Sequence, residues 1–157
     1  MSSTDVTNEK AASPLPKSGE MWLEVIALPV ADIDRSKEFY AGLGWQLDAD
    51  LNFGEDVRVV QFTPPGSGCS IGFGKGLTSA EPGSVERLEV AVQDIEATRE
   101  DLIGRGVEVS ELFHRGESGI EPGPDPERRS YLTYASFSDP DGNSWLLQEI
   151  TERLPGR

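Results

Sequence analysis

Two short stretches, Val30-Ala31-Asp32-Ile33-Asp34 and Val92-Gln93-Asp94-Ile95-Glu96, repeat one plan at an offset of 62 residues. In each, a β-compatible run ends at an Asp placed to cap a helix, and Ile opens that helix. The same offset carries Gly44 to Gly106, a glycine just past the end of each expected helix. In the first helix Ile33, Phe39, Tyr40 and Leu43 recur at helical spacing. Recurrence at a fixed offset marks two copies of one supersecondary unit.

Working outward, strands are expected over residues 22–30, 45–49, 57–62 and 69–73 in the first copy. In the second they are expected over 107–113, 131–137 and 143–150, the last two joined by the turn Asp139-Pro140-Asp141-Gly142. Each copy then reads βαβββ. The fold class is α+β, two βαβββ repeats forming a curved mixed sheet around a central pocket. The first copy spans residues 21–76 and the second 84–151, within one domain of 21–153. Residues 1–20 are rich in Ser, Thr, Pro and charge and are expected to form a mobile tail, with a short tail at 154–157. One helix covers only one face of a curved sheet. The concave faces are therefore expected to enclose a cavity, with alternate strand residues pointing into it.

Charge narrows the partners. Acidic residues number 28 against 14 basic, a formal net charge of −14, which weighs against nucleic acid and anionic membranes. The chain offers no run of about 18 apolar residues and no basic start followed by an apolar stretch, so neither a membrane span nor a signal peptide is expected. Cys69 is the only cysteine, which rules out an intrachain disulfide and a cysteine-rich zinc site and points to a cytoplasmic setting.

The run Val30-Ala31-Asp32-Ile33-Asp34-Arg35-Ser36 into Phe39-Tyr40, then Leu43-Gly44-Trp45, and finally Phe137-Ser138-Asp139-Pro140-Asp141-Gly142-Asn143 together resemble the glyoxalase, bleomycin-resistance and extradiol-dioxygenase group, the vicinal oxygen chelate superfamily. The likeness covers about residues 22–150, and its ending, Trp145-Leu146-Leu147-Gln148-Glu149-Ile150, is similar to that of glyoxalase-like members without an assigned activity. The resemblance implies that metal-using relatives set one ligand on the first and one on the last strand of each copy. Those positions fall on Val25 and Gly72 in the first copy and on Arg87 and Leu146 in the second. A divalent metal needs N, O or thiolate donors converging at about 2.0–2.6 Å, and these four residues offer no conventional donor. No metal and no cofactor are expected.

Arg87 would put a fixed cation where relatives hold a metal, either gripping an anionic group or pairing with Glu89, two residues along on the same face. Glu89 is the candidate general base, its pKa raised by desolvation or lowered by the arginine. Gln148 shares its strand face with Leu146 and should reach the cavity, while Trp145 and Glu149 point toward a helix. His114, the only histidine, is a candidate at the pocket mouth, although a water-exposed loop histidine is the simpler reading. Residues 116–129 form either a lid or a solvated surface loop. Of Tyr131 and Tyr134 only one should line the cavity; parity leaves the choice open, and Tyr131 is carried as the candidate. Cys69 reads as a small buried residue rather than a nucleophile.

Three functional readings follow. The first is a metal-independent protein binding a small organic molecule in its cavity, for sequestration, resistance or sensing. The second is a metal-free isomerase or lyase using Arg87 to stabilise an oxyanion and Glu89 to move a proton. A metal-dependent glyoxalase or dioxygenase ranks third. By analogy with the superfamily a homodimer is expected.

Overall fold

The computed structural model describes residues 13–157. The expected tail at 1–20 therefore lies mostly outside the described residues. Within residues 13–20, the Glu20 backbone N–H donates to the Lys17 carbonyl oxygen at 2.9 Å, closing a turn.

In chain order the elements are β1 (Val25–Ala27), α1 (Ile33–Gly42), β2 (Gln46–Phe53), β3 (Val57–Thr63), β4 (Ser70–Lys75), β5 (Leu88–Val92), α2 (Ile95–Gly104), β6 (Phe113–Gly116), β7 (Gly119–Pro122), β8 (Thr133–Ser138) and β9 (Ser144–Glu149). The repeat read from sequence is present in the helices, which begin and end in equivalent places. Asp32 accepts from the Arg35 backbone N–H and Asp94 from that of Ala97, both at 3.0 Å, so each satisfies an amide that the first turn leaves unpaired. Gly44 and Gly106 then leave the helices at φ of +83° and +87°, a left-handed backbone that a Cβ would disfavour.

The strands form two hydrogen-bonded sheets, ordered β1-β4-β3-β2 and β5-β9-β8-β6-β7. In each, the first strand of the repeat runs parallel to the last, β1 with β4 and β5 with β9, and the remaining pairs are antiparallel. The α+β architecture is as expected, with the sheet divided in two.

One strand lies elsewhere than predicted. Residues 107–112 are outside any ladder: Val107, Val109 and Leu112 pack on the core while the backbone runs irregularly. The ladder starts at Phe113 and continues through residues read as a lid or loop, because β6 turns back at Gly116–Gly119 into β7. Residues 116–129 thus hold half of a hairpin.

The helix-facing sides of both sheets share one core. Val60, Phe62, Ile71 and Phe73 of the first sheet and Ala135, Phe137, Trp145 and Leu147 of the second belong to a single buried cluster. Tyr40 of α1 lies between them, its ring 5.7 Å from Phe73 and 6.1 Å from Trp145. Such aromatic pairs contribute about 0.5–1.5 kcal/mol each beyond simple burial. The opposite faces fall outside this core. On the first sheet Val25, Leu51 and Phe53 stay 44 %, 52 % and 61 % exposed.

Candidate functional site

Strand parity builds the site. On β9, Trp145, Leu147 and Glu149 are buried toward the core, which leaves Ser144, Leu146 and Gln148 on the other face. Register carries that face across the sheet: Leu146 lies opposite Ser136, Gln148 opposite Tyr134, and Tyr134 opposite Phe113. The β6–β7 hairpin extends it, with Arg115 opposite Ile120.

These residues line a half-open cavity of about 200 Å³ whose walls are mainly apolar, from Phe113, Ile120, Tyr134 and Leu146. Ser136 and Ser144 add hydroxyls, and Arg87 and Arg115 add charge at its edge. Phe113 and Tyr134 stack with ring centroids 5.6 Å apart and planes at 21°, so a flat aromatic face is preformed in the wall.

Of the residues singled out by sequence, Arg87 and Leu146 come together at this cavity. Arg87 sits at φ +61°, its backbone N–H donates to the Ser144 hydroxyl at 2.8 Å, and its Nε donates to Glu89 Oε1 at 2.9 Å. Both side chains of that pair are about half exposed. Glu89 is opposite Leu146 in the ladder and shares its face, at the open end. Gln148 shares it too, but its amide is engaged, donating to the Tyr131 carbonyl oxygen at 3.0 Å.

Val25 and Gly72 are neighbours of each other, not of Arg87 and Leu146. A Cβ at Gly72 would lie 3.3 Å from Val25 Cγ2, on the exposed face of the first sheet. Both copies were expected to wall one cavity within the chain; here the lining comes from the second copy, because the shared core takes the helix-facing sides of both sheets.

His114 needs correction as an exposed loop histidine. It lies within β6 with 6 % of its surface exposed, on the face away from the cavity. Nδ1 is 2.8 Å from the Gly123 carbonyl oxygen and Nε2 is 3.2 Å from Glu121 Oε2. Those contacts clamp the β6–β7 hairpin and the chain beyond it. Tyr131 also stands outside the cavity, at φ +75°, its hydroxyl accepting from the Leu154 backbone N–H at 3.2 Å. Tyr134 takes the cavity position, since it lies within the ladder and Tyr131 precedes it. Burial pushes the Cys69 thiol up from its ordinary value, which disfavours the thiolate a nucleophile requires.

The residues do not fit a metal at the position used by relatives. Val25, Gly72 and Leu146 have no donor, and the Arg87 guanidinium is cationic. Among the described residues no group of three or more His, Cys, Asp or Glu could hold a metal ion.

Sequence reasoning missed Arg115, Ile120, Phe113, Ser136 and Ser144. The signal for the hairpin was present in Ser118-Gly119, a turn dipeptide following Phe113-His114-Arg115.

Among curated proteins none matches the chain significantly. Solved structures do. TnmS3, an antibiotic binding protein from Streptomyces sp. CB03234, is 28 % identical with a TM-score of 0.66, over 84 % of this chain and 98 % of that one. A glyoxalase/bleomycin resistance protein from the same source is 29 % identical with a TM-score of 0.63, over 82 % of this chain and 100 % of that one. A superfamily member from Sphaerobacter thermophilus DSM 20745, 23 % identical with a TM-score of 0.63 over 83 % of this chain and 98 % of that one, shares the fold. The family model for the Glyoxalase/Bleomycin resistance protein/Dioxygenase superfamily matches residues 22–147, and the chain belongs to that superfamily.

Proposed function

We propose that this chain is a metal-independent binding protein that holds a small organic molecule against the second sheet, for sequestration, resistance or sensing. The observation that carries the reading is the cavity wall itself: an apolar surface with a stacked Phe113–Tyr134 pair, beside the two family ligand positions that reach it, Arg87 and Leu146, neither of which is a metal donor. The similarity to an antibiotic binding protein supports the same class of ligand. Apolar walls with a few placed polar groups are what a small-molecule site requires.

A second copy belongs to this proposal. One chain leaves the cavity half open and the apolar residues Val25, Leu51 and Phe53 of its first sheet exposed. Seating that face of one copy over the second sheet of another would cover both, and a twofold pair would do so twice. A cytoplasmic setting is part of the same reading: Cys69 has no disulfide partner in the chain, and among the described residues no helix is long and apolar enough to cross a membrane.

Thermal-shift titration tests the binding. In metal-free buffer, with a panel of small aromatic antibiotics of one or two fused rings including a quinolone, we expect one class to raise Tm by about 5 °C at about a hundredfold excess over its Kd. Leu146→Trp, which fills the cavity, should abolish the shift. Shifts that appear only with added divalent metal, or that survive Leu146→Trp, would contradict the reading. The alternative, a metal-free isomerase or lyase, draws on the Arg87–Glu89 pair beside the cavity. It requires turnover that Glu89→Gln removes.

A further inference from the structure

The charge of the ligand can be read from one arginine. Resting on the binding site proposed above, we infer that the cavity selects planar aromatic molecules bearing one acidic group, with Arg115 as the residue that meets the acid.

Arg115 lines the cavity, and its guanidinium makes no ion pair or hydrogen bond with any described residue. That isolation is unusual in this molecule. Arg35, Arg58, Arg87, Arg99, Arg105, Arg128 and Arg129 each hold a carboxylate within 3.4 Å. With acidic residues outnumbering basic ones by two to one, most guanidinium groups of the chain meet a carboxylate. The surroundings here are apolar: Ile120 is opposite Arg115 across the hairpin, and Phe113 stands two residues before it on the same face. The other cation at the cavity, Arg87, is already neutralised by Glu89 at 2.9 Å. Arg115 therefore offers an unshared fork of N–H donors, a geometry matched to a carboxylate or sulfonate.

The remaining specification is shape. A volume of about 200 Å³ suits one or two fused rings, since a cavity of about 150 Å³ already holds benzene. The Phe113–Tyr134 stack presents the flat surface on which such a ring would lie.

Isothermal titration calorimetry with naphthoate and with naphthamide, nearly the same shape without the charge, separates the two parts of the claim. We expect naphthoate to bind about tenfold more tightly, one charge-assisted contact's worth. Arg115→Gln should erase that margin by weakening naphthoate far more than naphthamide, and Arg115→Lys should restore part of it. Because Arg115 is exposed and unpaired, its replacement leaves the fold intact. Leu146→Trp should remove both ligands. If Leu146→Trp removes both but the wild type binds them equally, or Arg115→Gln keeps the margin, the acid-selective reading is overturned and the cavity stands. If neither compound binds, the aromatic-acid class is wrong. If both bind regardless of Leu146→Trp, the cavity itself is misassigned.

Discussion

Asp139 shows what a single side chain does in this fold. Its Oδ1 accepts the backbone N–H groups of Asp141, Gly142 and Asn143 at 3.0–3.1 Å, which builds the turn between β8 and β9. Its Oδ2 accepts from the Tyr40 hydroxyl and the Asn143 amide, both at 2.8 Å, tying that turn to α1 of the other copy. The turn was legible because Asp-Pro-Asp-Gly-Asn is local chemistry. The bond to Tyr40 was not, since nothing in the sequence pairs residues 99 positions apart. Asp125 is fully buried, its carboxylate gripped through both oxygens by the Arg129 guanidinium at 2.8 and 3.0 Å. The Arg129 side chain, and then its backbone N–H, hold the Asp125 carboxyl down to about 2. An unfolded Asp titrates near 3.9, as is usual for the free side chain. A folded value below the unfolded one gives stabilisation that is complete above about pH 4 and is lost as pH falls through about 2. Asp125→Asn should therefore lower the urea midpoint at neutral pH, and the gap from wild type should close over that window. A gap that stays constant down to pH 2 would show that the pair contributes nothing through charge.

At the scale of elements, local signals were read well and pairing partners poorly. The helices, their Asp caps and their glycine exits were visible because each depends on residues within a few positions. The strand predicted at residues 107–113 failed for a different reason. Its apolar residues Val107, Val109 and Leu112 do face the core, but a ladder also needs a neighbouring backbone in register. Phe113 supplies that register against Tyr134, and the site moved with it. The linker between the copies is also built from long-range contacts. Gly83, at φ +80°, donates its N–H to the Pro29 carbonyl oxygen at 3.1 Å and passes so close to Asp141 that a Cβ would overlap its carbonyl oxygen. Both backbone conformation and space forbid a side chain there. Gly83→Ala should cost about 1–3 kcal/mol, measured by denaturant unfolding, whereas Gly54→Ala, also at positive φ but with open space around it, should cost less. Equal losses would mean that conformation alone, and not the close approach to the turn, sets the requirement.

For the whole molecule, the repeat was legible but the direction in which its faces point was not. Two copies could meet through their concave faces, closing a cavity, or through their helix sides, sharing a core. The sequence patterns for the two arrangements are the same, because both bury one face of each sheet and both place apolar residues on the other. Tyr40, Trp45 and Trp145 decide between them by clustering within 6.1 Å of one another in one core. The described residues then cover the face bearing Leu146, Phe113 and Tyr134 only in part, and they leave Val25, Leu51 and Phe53 exposed on the first sheet. These two unsatisfied surfaces are the physical reason for proposing a paired assembly around bound ligand. Native mass spectrometry of the full chain with the compound giving the largest thermal shift reads stoichiometry and metal content together. A species of two chains carrying two ligand molecules and no added metal mass is expected; a single chain binding the ligand, or ligand retained only alongside a metal ion, would overturn the metal-independent paired site.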